Sequence, residues 1–181
     1  FVLNRQGERA AIDFNFNGWG EKQTFDLDAD VAAFVAAQAG ARLIATDLVL
    51  EGGAIEVDGQ GTAILAESCV LHDNRNPGLD RAALEELLMP LLGLSTIIWI
   101  PGIADHDITD GHTDFYARFA RPGVVTVAYD PDENSFDHEV TKAHLDILAQ
   151  ARDAHGREFE IFVLEAPSSI RPEFDREEFA A

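Results

Sequence analysis

Ten consecutive residues, Asp105-His106-Asp107-Ile108-Thr109-Asp110-Gly111-His112-Thr113-Asp114, set four carboxylates and two imidazoles side by side. An imidazole changes charge near neutral pH and a carboxylate can orient it or hold a cation, so the spacing suits proton transfer, cation binding or metal ligation. Ile97-Ile98-Trp99-Ile100-Pro101 reads as a buried strand stopped by proline, and Phe115-Tyr116-Ala117-Arg118-Phe119 reads as a second strand. The cluster is therefore expected on a strand-to-strand loop, where rigid scaffolds present reactive groups. With His112 and Asp114 entering the second strand, a period of two places both side chains on one face. Two other readings stand beside this one: a solvated acidic loop, and a metal-dependent hydrolase built on His106, His112 and nearby aspartates. The metal reading has no HExxH spacing, cysteine pair or EF-hand pattern behind it.

The elements that must position this stretch can be read in order. Arg9 to Phe16 is expected as a strand, and Asn17-Gly18-Trp19-Gly20 as a loop whose glycines allow unusual backbone angles around an indole. Asp26 or Asp28 should cap a helix carrying Val31, Phe34 and Val35 and stopped by Gly40, before a short strand Arg42 to Ala45. Ala54 to Val57 and Thr62 to Ala66 flank Asp58-Gly59-Gln60-Gly61, a hairpin signal. The spacing predicts a helix over about 80–92 with Leu84, Leu87, Leu88 and Leu91 on one face, which Pro90 should end or kink early, followed by a strand Leu94 to Ile100. Phe115 to Phe119 and Val124 to Tyr129 flank a second such turn at Ala120-Arg121-Pro122-Gly123. Asp137 should cap a helix to about Ala154, ended by Gly156, and Phe159 to Leu164 reads as a strand. Residues 167–181 read as a loop or tail. Helix starts near 28, 80 and 138 repeat hairpin, helix and strand three times at roughly 50–60 residue spacing, within one α/β domain with modules near 1–47, 48–101 and 102–166. A ring of ββαβ blades fits this pattern better than a doubly wound sheet.

With 181 residues, 46% of them hydrophobic, the chain can bury a sizeable core. Thirteen basic against 33 acidic residues give a formal charge of −20, which repels phosphate backbones and anionic headgroups and attracts cations. The expected partner is a small cationic molecule, with neither nucleic acid nor membrane, and self-association stays open. A single cysteine excludes an internal disulfide framework and points to a reducing, cytoplasmic setting. The chain opens at Phe1 in what reads as the middle of a strand, so it is read as a central fragment, and the lack of a targeting segment carries little weight.

Four motifs in order, Phe16-Asn17-Gly18-Trp19-Gly20, Leu50-Glu51-Gly52-Gly53-Ala54-Ile55, Asn74-Arg75-Asn76-Pro77 and Thr109-Asp110-Gly111-His112-Thr113-Asp114, resemble the agmatine deiminase and bacterial (Porphyromonas-type) peptidyl-arginine deiminase family of the guanidine-modifying pentein superfamily. The resemblance implies a pentein α/β propeller of five ββαβ modules, about three of them present here. It also implies hydrolysis of a C–N bond in a guanidino compound, such as agmatine to N-carbamoylputrescine plus ammonia, through a covalent cysteine intermediate and without metal or organic cofactor. By the same resemblance Asp114 binds guanidinium nitrogens, His112 moves protons and Glu51 orients His112. Gly52 and Gly53 would let the backbone approach the substrate. Trp19 is read equally as pocket rim or core filling, Asp110 as a site residue or a loop cap, and Arg75 as a structural residue that pins a turn or pairs a carboxylate. A noncatalytic guanidine-binding module is the remaining alternative.

Cys69 is the sole thiol, but Glu67-Ser68-Cys69-Val70-Leu71 reads as the end of a hairpin, unlike the family's glycine-rich Gly-x-His-Cys segment. It is read as a buried structural residue. The nucleophile is then expected beyond Ala181 and a first guanidinium-binding aspartate before Phe1. Ile108 stands where agmatine deiminases commonly carry an acidic residue for the substrate's distal amine, which leaves the choice of guanidine open.

Overall fold

Short apolar strands paired by tight turns, each pair followed by a helix and a returning strand, build residues 1–167, which the computed structural model describes. The tail expected over 167–181 lies, apart from Pro167, outside the described residues. Strands β1 (Val2–Leu3), β2 (Arg9–Asp13) and β3 (Arg42–Ala45) form the first sheet, with the helix Val31–Gln38 crossing between the last two. The second sheet contains β4 (Ile55–Val57), β5 (Thr62–Ala66) and β6 (Thr96–Ile100), with the helix Arg81–Leu92 as crossover. The third contains β7 (Ala117–Arg121), β8 (Val124–Tyr129) and β9 (Glu160–Glu165), joined through the helix His138–Gln150. In every sheet the hairpin is antiparallel and the returning strand pairs in parallel, so one ββαβ unit occurs three times.

Strand β5 ties the units together. All five of its residues are buried, and the period of two sends them to opposite sides. Ile64 and Ala66 join Ile98, Ile100, Val125, Val127, Val140 and Leu148, whereas Ala63 and Leu65 join Leu48, Leu50, Cys69, Leu84 and Leu88. A strand covered on both faces reads as a continuous apolar run, as Ala63-Ile64-Leu65-Ala66 does.

Several boundaries differ from the sequence expectation for local reasons. Strand β2 stops at Asp13, short of Phe16. The first helix begins at Val31 behind a 3-10 turn, Asp28–Asp30, with no side-chain cap, and Val31 and Phe34 stay exposed while Ala36 is buried. The second helix runs through Pro90 to Leu92. Asp80 caps its start by accepting from the Ala83 N–H at 2.9 Å, and Pro90, whose missing N–H forgoes one intrahelical bond, falls in the last turn, so the helix ends two residues beyond it. Gly93 closes that end at φ 66°, and the Leu94 N–H donates to the Met89 carbonyl at 2.9 Å. The third helix ends at Gln150, because the Asp153 carboxylate collects the N–H groups of His155 and Arg157 at 2.9 Å each and makes a turn of its own. Glu67–Val70 is one helical turn, and so is Thr113–Tyr116. Strand β7 therefore starts two residues later than expected, and its hairpin closes through Pro122-Gly123. Among the described residues no helix is long and apolar enough to cross a membrane.

His144, fully buried on the third helix, bears directly on the acidic stretch. Its Nε2 accepts a hydrogen bond from the Gly102 N–H at 3.3 Å, its ring packs edge-on against Tyr116, and its Nδ1 has no protein partner. Burial pushes its pKa down from 6.5 to about 4, so the folded state holds the neutral ring. Between those values the unfolded chain binds a proton that the folded chain excludes. This contribution, about 3 kcal/mol at most, is complete above pH 6.5 and is lost as pH falls toward about 4. His144→Gln should flatten the dependence of unfolding free energy on pH in that window relative to the native sequence. Parallel denaturation curves at pH 7 and pH 4.5 measure it, and an unchanged slope would remove His144 as the cause.

Candidate active site

Buried Leu48, Val49 and Leu50 anchor the chain just before Glu51, whose extended backbone turns its carboxylate inward, 6% exposed. His112, 61 residues later, brings its Nε2 to 2.9 Å from Glu51 Oε2. Thr113 enforces the meeting: its Oγ1 donates to the Ala54 carbonyl at 2.6 Å and accepts from the Ala66 N–H at 2.9 Å, pinning the His112 turn to the residue before β4 and to β5. Gly53 lies directly beneath. A Cβ at that position would sit 2.3 Å from His112 Nδ1 and 3.0 Å from Asp114 Oδ2. His112 and Asp114 thus converge over one backbone atom. They do so because a helical turn folds them onto Gly53, not because strand alternation puts them on a common face.

Burial works against the Glu51 charge. Hydrogen bonds from His112 and Arg75 and the guanidinium charge outweigh it and hold the carboxyl below its usual range. Arg75 Nε lies 2.8 Å from Glu51 Oε1, while its Nη1 reaches Asp110 Oδ2 at 2.7 Å and its Nη2 donates to the Thr109 carbonyl at 2.9 Å. Asp110 is wholly buried and also receives Lys22 Nζ at 2.6 Å, the Asn74 amide and the Asp105 N–H. Although burial opposes its charge, the hydrogen bonds from Lys22, Asp105, Arg75 and Asn74 hold its carboxyl far below the ordinary range. Both Asp110 oxygens are thus engaged inside the fold, where they brace the loop.

Asp114 is different. About a third of its side chain is exposed, and its nearest cation, Arg118, stands 3.8 Å away and is itself paired with Glu56 at 2.8 Å. Its carboxylate is free to take a planar cation through two parallel N–H bonds. Trp19 is half-buried with φ 57° and packs edge-to-face on Phe16 at 5.1 Å. A Cβ at Gly52 would meet nothing within 4 Å, so close approach is confined to Gly53.

Cys69 is fully buried, with Sγ 3.4 Å from Glu51 Oε2. Burial and the Glu51 charge push the thiol pKa up, so it remains protonated and inert. The metal reading through His106 does not assemble. His106 stacks on Phe136 with centroids 4.6 Å apart and joins neither group of potential ligands found among the described residues, Glu51–Cys69–His112 and His72–Asp105–Asp110. In the first group a dication would face the Arg75 charge and a protonated thiol; in the second, Asp110 is already saturated. Lys22 escaped the sequence reading, since nothing local marks a lysine whose partner lies 88 residues away.

The whole chain, residues 1–181, matches the family model for Porphyromonas-type peptidyl-arginine deiminase. A Streptomyces avermitilis protein provisionally named agmatine deiminase is 43% identical over 178 residues, covering 94% of this chain and 51% of that protein. The structure of an Enterococcus faecalis agmatine deiminase catalysing its reaction superposes with a TM-score of 0.87 at 34% identity, over 92% of this chain and 47% of that one. A C. jejuni agmatine deiminase carrying a cysteine-to-serine change, with substrate bound, gives 0.79 at 30% identity over 92% and 49%. The chain therefore spans about half the length of the relatives it matches.

Proposed function

Because the chain belongs to the Porphyromonas-type peptidyl-arginine deiminase family, we propose that it supplies the proton-transfer and guanidinium-binding groups of an enzyme that hydrolyses a C–N bond of a guanidino compound. Its three ββαβ units are modules of a pentein α/β propeller. The observation that carries the proposal is the buried Glu51–His112 hydrogen bond of 2.9 Å set over Gly53 beside the accessible Asp114 carboxylate.

A guanidinium is planar and permanently charged, so attack at its central carbon requires the plane to be fixed and one face left open. Asp114 fixes the plane. A thiolate adds to the carbon, forming the C–S bond. His112 delivers its proton to the departing nitrogen, which leaves as ammonia as the C–N bond breaks. The neutral ring then takes a proton from water as the oxygen attacks the same carbon, the C–S bond breaks with its electron pair returning to the thiolate, the added hydroxyl gives its remaining proton to solvent, and a neutral ureido product leaves. Glu51 holds the imidazole in place throughout. Cys69 is buried and kept protonated, which supports a nucleophile outside these 181 residues.

The names of the relatives favour agmatine, whereas Ile108 on the same loop offers nothing to a distal ammonium and favours a guanidine with a neutral far end. Incubating the full-length protein with agmatine, N-acylated agmatine and an arginyl peptide, and measuring ammonia together with ureido product, tests both points. Release from at least one is expected, with higher kcat/KM for the acylated form if Ile108 selects. No release from any of the three would overturn the reading.

A further inference from the structure

We infer that Arg75 is a positioning residue that holds the imidazole of His112 from both its ends, ring and backbone. The inference rests on the acid-base role proposed above for His112 and extends it to a residue that touches neither substrate nor imidazole.

At the ring end, Arg75 Nε bonds both Glu51 oxygens, at 2.8 and 3.2 Å. Glu51 Oε2 is then the atom that meets His112 Nε2 at 2.9 Å. A carboxylate with a single partner can rotate about its terminal torsion; one clamped from the other side cannot, so the guanidinium fixes the direction in which Glu51 points at the ring. At the backbone end, Arg75 Nη2 donates to the Thr109 carbonyl at 2.9 Å, and Thr109 Oγ1 accepts the His112 N–H at 3.2 Å. Arg75 Nη1 completes the fork on Asp110 Oδ2 at 2.7 Å, next but one to His112 in the chain. One side chain, 1% exposed, therefore ties together the two segments that carry the acid-base pair, which lie 61 residues apart.

Neutralising two buried carboxylates would be explanation enough for a cation here, but not for this cation. The three arms point at three acceptors on two segments, a task for the rigid guanidinium fork and beyond the single ammonium of lysine. Arg75→Lys keeps the charge and loses the geometry, which makes it the informative substitution.

In the full-length protein Arg75→Lys should lower kcat by about 10- to 100-fold, the usual cost of removing an orienting partner, while KM changes by less than about threefold. In protein labelled with 15N-histidine, the ring N–H signal arising from the His112–Glu51 hydrogen bond, assigned by its loss in His112→Gln, should disappear or move in Arg75→Lys. Should Arg75→Lys fail to fold, Asp110→Asn releases one arm of the fork while keeping the Arg75–Glu51 pair, and a weaker change of the same kind is expected. A folded Arg75→Lys with native kcat and an unmoved ring signal overturns the inference, as does lowered stability with unchanged kcat per folded molecule. If the native protein turns over no guanidine, the proposed reaction fails, while the ring signal still decides the role of Arg75.

Discussion

His112→Ala in the full-length protein is expected to lower kcat for guanidine hydrolysis by at least about 100-fold, the scale of a positioned acid-base group. The ring is the only imidazole that meets Glu51, and it stands over Gly53 beside Asp114, the accessible carboxylate proposed to hold the substrate. The protein should survive the substitution, because Glu51 keeps Arg75 as a partner and no buried charge is left unpaired. Loss of kcat should therefore appear with a native circular dichroism spectrum and little change in KM. Turnover near the native rate in folded His112→Ala would remove His112 from the chemistry.

The second large effect is expected at a residue with no side chain at all. In Gly53→Ala the new methyl would sit 2.3 Å from His112 Nδ1, far inside van der Waals contact, and 3.0 Å from Asp114 Oδ2. The imidazole is short and tied at its far side to Glu51 at 2.9 Å, so it can retreat only by breaking that bond or by tilting away from Asp114. A displacement of about 1 Å at the reacting groups costs about 100-fold in rate, and kcat/KM should fall by that much. Gly53 does not occupy the left-handed backbone region, so the loss should come from contact and not from backbone strain. Gly52→Ala is the comparison, since a methyl there meets nothing within 4 Å of the described residues, and it should cost less than about tenfold. Equal losses at the two glycines would refute the contact explanation.

Much of the site was legible in the motifs. Glu51, Gly53, His112 and Asp114 were all singled out, and the expected hydrogen bond between Glu51 and His112 is present at 2.9 Å. His112 and Asp114 do not share a strand face, because Thr113–Tyr116 is a helical turn and strand alternation does not apply there. Thr113 decides this locally through hydrogen bonds to Ala54, just before β4, and to Ala66 of β5, partners that no window of sequence around it contains. Asp110 and Asp114 stand in one row of four aspartates, yet Asp110 has its oxygens engaged inside the fold while about a third of the Asp114 side chain is exposed.

The strands, the turns between them and the threefold recurrence of hairpin, helix and strand are legible in the sequence alone. These follow from residue alternation, from turn chemistry at Asp58-Gly59 and Pro122-Gly123, and from apolar spacing, which act over a few neighbouring residues. Which charges are paired and which stay free depends on the packed fold. Lys22, Glu51, Arg75 and Asp110 come from stretches up to 88 residues apart, and the ionisation of Glu51, Arg75 and Asp110 depends on desolvation and on partners that exist only once the units have packed. Glu51, Arg75 and Asp110 consequently form a buried brace behind His112, and Asp114 stays partly exposed, as the carboxylate proposed to take a guanidinium.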